Sequence, residues 1–309
     1  MAKTERYPAE LIERRDVSPS LAVFRFLPAE QPTFTAGQYA TIGVVADGSI
    51  IERPYSIVSS PGERFLEFFI ELVPGGDLTP KLWELKLGSR ILIRWRIVGQ
   101  FTLAPKVQRH LMLATVTGVA PFVSILRTQQ IERRRGKVSS DQFLVIHGAS
   151  RVADFGPYLS ELDELSRGGS LTYVPTISRP WEAPNWKGET GRVEDIVRKH
   201  ADKIGMDPTN SIAYACGHPR MVENVKEILA RTGFRKDQIR EEEYFKLPDL
   251  PSRTDTRRAS VRRPDNCLQV ETSSANRVQG LEIEVAAKAV IPSADLIASA
   301  ADLDEKRLA

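Results

Sequence analysis

Three residue types with distinct chemical capacities are adjacent in Glu52-Arg53-Pro54-Tyr55-Ser56-Ile57. A guanidinium grips phosphate through paired hydrogen bonds, a phenol ring offers a flat face to another aromatic system, and a hydroxyl both gives and takes a hydrogen bond. Taken alone, the run also reads as an ordinary edge strand. Its neighbours in sequence add to it. Upstream, Phe34-Thr35-Ala36-Gly37-Gln38-Tyr39 places a tight turn ahead of a strand. Downstream, Gly75-Gly76-Asp77-Leu78-Thr79 opens a segment predicted to be helical from Thr79 to Leu87. The free N–H groups and dipole of a helix start suit a pyrophosphate. Phosphate grip, ring face and helix start are together what a flavin nucleotide, FAD or FMN, requires.

A second set of residues lies further on. Leu113-Ala114-Thr115-Val116-Thr117-Gly118-Val119-Ala120-Pro121 reads as strand, turn and helix. One glycine-bearing turn is a weak signal. It is followed in order by Val145-Ile146-His147-Gly148, Pro175-Thr176-Ile177-Ser178-Arg179, Gly188-Glu189-Thr190-Gly191-Arg192 and Cys216-Gly217-His218-Pro219. His147 and His218 end different predicted strands with no Asp, Glu or Cys cluster at ligand spacing, so no metal site is expected. Cys216 and Cys267 are the only cysteines, too few for a four-thiolate iron–sulfur or zinc site within this chain.

The elements that must position these residues fall into three stretches. Residues 1–104 read as short strands with one helix: Ala22–Phe26, Gln38–Ile42, Phe65–Leu72 and Ile91–Ile97, separated by Pro and Gly turns. That pattern suggests a small antiparallel β-barrel. In 105–246, strand-like runs alternate with helix-length ones from Leu111 to Arg231, the rhythm of an α/β domain on a parallel sheet. In such sheets ligands bind beyond the carboxyl ends of the strands. Thr115, His147-Gly148 and Cys216-Gly217 stand at three of those predicted ends. Residues 247–309 contain no Phe, Trp or Tyr and are expected to form a disordered or weakly helical tail. The basic run Arg257-Arg258 to Arg262-Arg263 within it reads as solvated.

Composition sets bounds on the rest. With 41% hydrophobic and 27% charged residues and a net charge of +3, the 309-residue chain has the profile of a water-soluble protein of two ordinary domains. The charge balance gives no argument for nucleic acid. The most apolar stretch, Leu111 to Leu126, is too short and too broken to span a bilayer. Met1 to Arg6 shows no apolar signal region, so a reducing cytoplasm and an unpaired Cys216 are expected.

Taken together, the two sets of segments resemble the ferredoxin/flavodoxin–NADP reductase family in its bacterial form, over roughly Tyr7 to Phe245. The resemblance implies a two-domain flavoenzyme with FAD on the barrel and NADP(H) on the α/β domain. It gives the Arg53-Pro54-Tyr55-Ser56 segment to the flavin: Arg53 to the diphosphate, Tyr55 to the isoalloxazine and Ser56 beside flavin N5. Gly76 and Thr79 would hold the pyrophosphate. Thr117, Gly118, Ser178 and Gly217 would receive the nicotinamide nucleotide, and Arg151, Arg179 and Arg192 its 2′-phosphate, which favours NADP over NAD. Cys216 would lie beside nicotinamide C4, with a plain buried core cysteine as the other reading. Glu243, or its neighbour Glu242, would help proton transfer. Tyr244 or Phe245 would cover the flavin, or the aromatic pair would pack the last strand. One departure is Val116, where the family has a glycine that lets the dinucleotide approach closely.

The implied activity is hydride transfer from NADPH to FAD, then single electrons to an acidic ferredoxin or flavodoxin. Docking would be transient, steered by a basic collar of Lys81, Arg90, Arg94 and Arg96 on a monomer. Two other readings stand beside it: the reductase component of an oxygenase system, and a flavin-binding sensor or assembly subunit with impaired turnover.

Overall fold

A computed structural model describes residues 6–245. Its first strand is one that composition hides. β1 (Arg6–Ser18) carries Glu10, Glu13, Arg14, Arg15 and Asp16, yet Tyr7, Ala9 and Leu11 alternate onto its buried face. The period of two is short and charges crowd its second half, which is why it does not read as a strand from sequence. β2 (Leu21–Pro28), β3 (Tyr39–Ala46), β4 (Ser49–Ser56), β5 (Leu66–Glu71) and β6 (Arg90–Arg94) join it in one antiparallel sheet of order β4-β3-β6-β1-β2-β5.

The sheet curls until its end strands meet. The Val58 N–H donates to the Glu67 carbonyl at 2.8 Å, and the rings of Tyr55 and Phe68 meet edge to face at 6.5 Å. Phe24, Phe26, Ile42, Leu66, Phe68 and Ile93 fill the interior with no exposed surface. Complete burial of each such side chain contributes about 1.5–3 kcal/mol. α1 (Thr79–Trp83) drops Leu82 into this core but stops short of the predicted Leu87. The chain turns at Gly88, at φ 85°, whose N–H bonds back to the Leu11 carbonyl.

The second sheet is parallel and runs β10-β9-β8-β7-β11-β12, from β7 (Arg109–Thr115), β8 (Gln142–Ala149), β9 (Leu171–Ile177), β10 (Glu189–Thr190), β11 (Ser211–Gly217) and β12 (Ile239–Glu243). Between the strands come α2 (Ala120–Arg134), α3 (Tyr158–Ser166), α4 (Val193–Lys203) and α5 (Pro219–Arg231). β11 is buried from end to end, as a central parallel strand must be. Strand order reverses between β7 and β11, so the crevice for a nucleotide opens beyond Thr115 and Gly217.

The expected boundary at residues 104 and 105 falls between β6 and β7, but the two sheets form one compact unit. Leu21, Val23, Val58 and Phe69 of the barrel share an apolar core with Phe122, Val123 and Tyr214. A buried ion cluster reinforces the seam. Glu67, 1% exposed, accepts hydrogen bonds from Arg25 at 2.6 Å and from Tyr158 at 3.0 Å, and pairs with Arg127 at 3.1 Å. The predicted tail at 247–309 and Cys267 lie outside the described residues.

Candidate active site

A cavity of about 1300 Å³ opens along the seam. Tyr39, Arg53, Tyr55 and Ser56 line it from the barrel, Thr115 to Thr117 and Gly217 from the strand ends, and Glu242 to Phe245 from β12 and beyond.

On the barrel wall, β4 presents the flavin segment in regular antiparallel register, with Tyr55 opposite Ala40 and Ser56 opposite Tyr39. Arg53 is exposed and donates to Asp77 at 2.7 Å, so its guanidinium is held toward the Gly76 loop. Pro54 also lines the cavity. Burial pushes the Tyr55 phenol up to about 12, which keeps it protonated. The loop itself is tied internally. Gly76 N–H donates to the Val73 carbonyl at 2.9 Å, while Thr79 Oγ1 accepts from the Val73 N–H at 2.9 Å and donates to its carbonyl at 3.3 Å. Thr79, expected with Gly76 to hold a pyrophosphate, lines the cavity with its side chain bonded back to the loop. Its hydroxyl is committed to shaping the loop, and α1 is too short to supply a full helix dipole.

The facing wall is a turn. Val116 lines the cavity with φ at 44°, a left-handed backbone that costs a β-branched residue about 1–2 kcal/mol. Its carbonyl is bonded to His147 Nε2 at 2.9 Å, and His147 Nδ1 lies 3.3 Å from the Tyr173 hydroxyl. Complete burial lowers His147 to about 4. The ring is thus neutral, and its single N–H belongs on Nε2, donating to Val116, while Nδ1 accepts from Tyr173. Sequence reasoning weighed His147 only as a metal ligand and missed that it supports the turn. Nothing local to His147 signals this, because its partners come from the turn at Val116 and from β9.

The glycines nearby serve packing. A Cβ on Gly118 would sit 2.2 Å from the Cys216 carbonyl oxygen, and one on Gly217, at φ 123°, 2.4 Å from Thr115 Oγ1. Gly118 lets the turn rest on β11, next in sequence to the cavity-lining Thr117. Thr117 is 7% exposed, and its carbonyl accepts from the Tyr244 hydroxyl at 3.1 Å.

Between the walls stands a polar cluster. Glu242 turns inward, with Oε2 3.4 Å from Ser56 Oγ, and burial pushes its carboxyl up to about 7 against the opposing pull of that hydrogen bond. Glu243, the preferred glutamate from sequence, is the exposed neighbour, because alternate residues of a strand face opposite ways. Cys216 is fully buried, and its thiol is held well above the ordinary range by burial and by the nearby Glu242. The Tyr244 hydroxyl lies within its hydrogen-bonding reach. Cys216 is thus a buried core residue hydrogen-bonded to the cavity-lining Tyr244. Phe245, 50% exposed, sits at the rim, edge-on to His218 at 5.2 Å.

The three arginines assigned to a 2′-phosphate separate into two groups. Arg151 and Arg179 converge on Glu182, at 2.6 and 3.3 Å. Arg192 and Ser178 line the cavity, and Arg192 is 4.0 Å from Glu194. In the expected basic collar, Arg90 and Arg96 are exposed and Lys81 is half-buried, but Arg94 is committed to Glu52, which also pairs with Arg6.

Comparison with known proteins agrees with this architecture. Residues 8–101 match the oxidoreductase FAD-binding domain and residues 112–227 the oxidoreductase NAD-binding domain. A ferredoxin–NADP reductase from Azotobacter vinelandii is 31% identical over 230 residues, which cover 69% of this chain and 85% of the relative. The chain belongs to the ferredoxin/flavodoxin–NADP reductase family. The structure of a ferredoxin NADP+ reductase from Neisseria gonorrhoeae with bound FAD and NADP superposes with a TM-score of 0.68 at 26% identity, covering 79% of this chain and all of that one. The xylene/toluene monooxygenase electron transfer component of Pseudomonas putida is 25% identical, over 78% of this chain and 66% of its own length.

As a member of the family the chain is an oxidoreductase, with FAD and NADP(H) as cofactors. The residues present fit that pair. One open cavity is lined by the cationic side chains of Arg53 and Arg192, the aromatic Tyr55, the Ser56 hydroxyl and the Glu242 carboxyl group. Among the described residues, no helix is long and apolar enough to cross a membrane, and no group of His, Cys, Asp and Glu is placed to hold a metal ion.

Proposed function

We propose that this reductase moves electrons between NADP(H) and a ferredoxin or flavodoxin by way of FAD. Bound FAD would supply the conversion between two-electron hydride chemistry and the single electrons that a one-electron carrier requires. A single observation carries the reading: the barrel residues Arg53, Tyr55 and Ser56 and the strand-end turn at Thr115–Thr117 face one cavity, with Glu242 reaching Ser56 between them.

In this reading Arg53 and the backbone around Gly76 hold the flavin diphosphate, Tyr55 offers its ring to the isoalloxazine, and Ser56 points at its reactive edge. Thr117 and Gly217 seat the nicotinamide, with Cys216 setting its depth once Tyr244 has moved aside. Glu242 titrates near neutral pH and so both holds and releases a proton at Ser56. Arg151, Arg179 and Arg192 receive the 2′-phosphate. The chain's chief contributions are orientation and exclusion of water. Arg90 and Arg96 attract the acidic face of the partner, giving a short-lived complex that weakens with salt.

The Pseudomonas putida relative favours a second reading, the reductase component of an oxygenase, which differs in the partner alone. The test is anaerobic. The purified protein is expected to show a flavin spectrum that NADPH bleaches, and then to reduce ferredoxin or flavodoxin at rates that fall with ionic strength. Bound flavin that no nicotinamide nucleotide bleaches would sink the enzymatic reading. Bleaching without electron delivery to either carrier would turn the choice to the oxygenase.

A further inference from the structure

We infer that Glu182 sets the nucleotide preference of this site, as an internal carboxylate that occupies the arginine pair receiving a 2′-phosphate and so weakens discrimination against NAD(H). The inference rests on the reading that Arg151 and Arg179 take that phosphate.

The local geometry makes the contact. Arg179 begins a single 3-10 turn, Pro180 fixes its first backbone angle, and the Glu182 N–H donates to the Arg179 carbonyl at 3.1 Å. In a 3-10 turn, residues three apart eclipse, so the Glu182 side chain returns to Arg179. Arg151 arrives from the end of β8 and donates through Nε to Glu182 Oε2 at 2.6 Å, while Arg179 Nη1 meets Oε1 at 3.3 Å. One carboxylate thus uses both of its oxygens on two guanidiniums. All three side chains are partly open to solvent, at 51% and 44% for the arginines and 34% for the glutamate. The hydrogen bond from Arg151 lowers the Glu182 carboxyl, which keeps it ionised.

A phosphate monoester dianion needs the same N–H faces. Glu182 must either swing out, breaking both ion pairs, or stay and repel the incoming charge. Each course weakens binding of the phosphorylated nucleotide. Without the phosphate, the ribose offers a 2′-hydroxyl, and a carboxylate is the acceptor that NAD-binding sheets place there. The same side chain therefore opposes one nucleotide and serves the other. Losing two exposed ion pairs corresponds to roughly a three- to ten-fold change in affinity.

The experiment uses the full-length flavin-loaded protein, with 2′-phospho-AMP and AMP titrated by calorimetry and with kcat/KM measured for NADPH and NADH. Glu182→Gln is expected to raise the preference for 2′-phospho-AMP over AMP, and for NADPH over NADH, by about three- to ten-fold, with the change carried by KM. An unchanged or reduced preference would overturn the inference and make Glu182 a strut that aligns the arginines. Arg151→Ala and Arg179→Ala separate the two levels of argument. If both weaken 2′-phospho-AMP while Glu182→Gln changes nothing, only the role of Glu182 falls. If neither affects it, the phosphate site lies elsewhere and the underlying reading falls with it.

Discussion

Strand β4 presents Arg53, Tyr55 and Ser56 from extended backbone, paired residue by residue with β3, whereas the opposite wall hangs Val116 and Thr117 from a turn at positive φ. The strand wall draws its geometry from a regular ladder, so side chains are placed by register alone. The turn wall needs local exceptions: glycines without which Cys216 and Thr115 would clash, and a buried neutral histidine bonded to the strained carbonyl. A ladder holds a cofactor in one place. A turn fastened at a few points tolerates change, and Val116, the residue held at positive φ, sits there.

The largest effect is expected where the two walls meet. Glu242→Gln should lower kcat by about 100-fold and remove an inflection near pH 7 from its pH profile, measured by steady-state kinetics. A variant that keeps both would take Glu242 out of proton transfer. The same change acts on stability with a definite sign. The folded-state value, about 7, lies above the ordinary 4.5, so the wild type loses stability as pH rises between them, by up to about 3 kcal/mol. Chemical denaturation should find the variant stabilised relative to wild type at pH 8 and not at pH 4.

Next comes the strand wall. Arg53→Ala should weaken FAD by about 10- to 100-fold, the worth of a charged hydrogen-bonded grip, while the rest of the barrel stays folded. Flavin released on desalting and fluorescence titration read this. Retained affinity would mean that the backbone of the Gly76 loop holds the diphosphate unaided.

The smallest effect belongs to the turn. Val116→Gly relieves about 1–2 kcal/mol of backbone strain but forfeits apolar contact and adds flexibility to the unfolded chain, so net stability should change by less than about 1 kcal/mol. The nicotinamide nucleotide KM is expected to fall about two- to five-fold, because a methyl-bearing side chain leaves the cavity wall. An unchanged KM would show that the dinucleotide passes clear of position 116, and the contrast between the walls would then concern packing alone.

The central strands of the parallel sheet, by contrast, needed little from the structure. Runs such as Leu111–Thr115 and Ile212–Cys216 are continuous and apolar because parallel strands are covered on both faces, and they stood out for that reason. β1 did not, since its inward positions are few and its outward ones highly charged. The motif residues around Arg53 and Ser56 were legible by type and spacing. The choice between Glu242 and Glu243 was not, because three consecutive glutamates carry no phase until a strand fixes which one faces in.

By itself the sequence determined a barrel followed by an α/β sheet, consequences of local periodicity and turn chemistry, while the flavin segment and the nucleotide-binding turns were expected from resemblance to the family. Only the tertiary structure decided what the side chains meet across distance. It brought Glu67, Arg127 and Tyr158 into one buried cluster that joins the sheets, and set Tyr244 over Cys216. It also closed Glu182 onto an arginine from another strand end and pressed His147 against the carbonyl of Val116. These pairings link residues far apart in the chain, and no period within a short window encodes them.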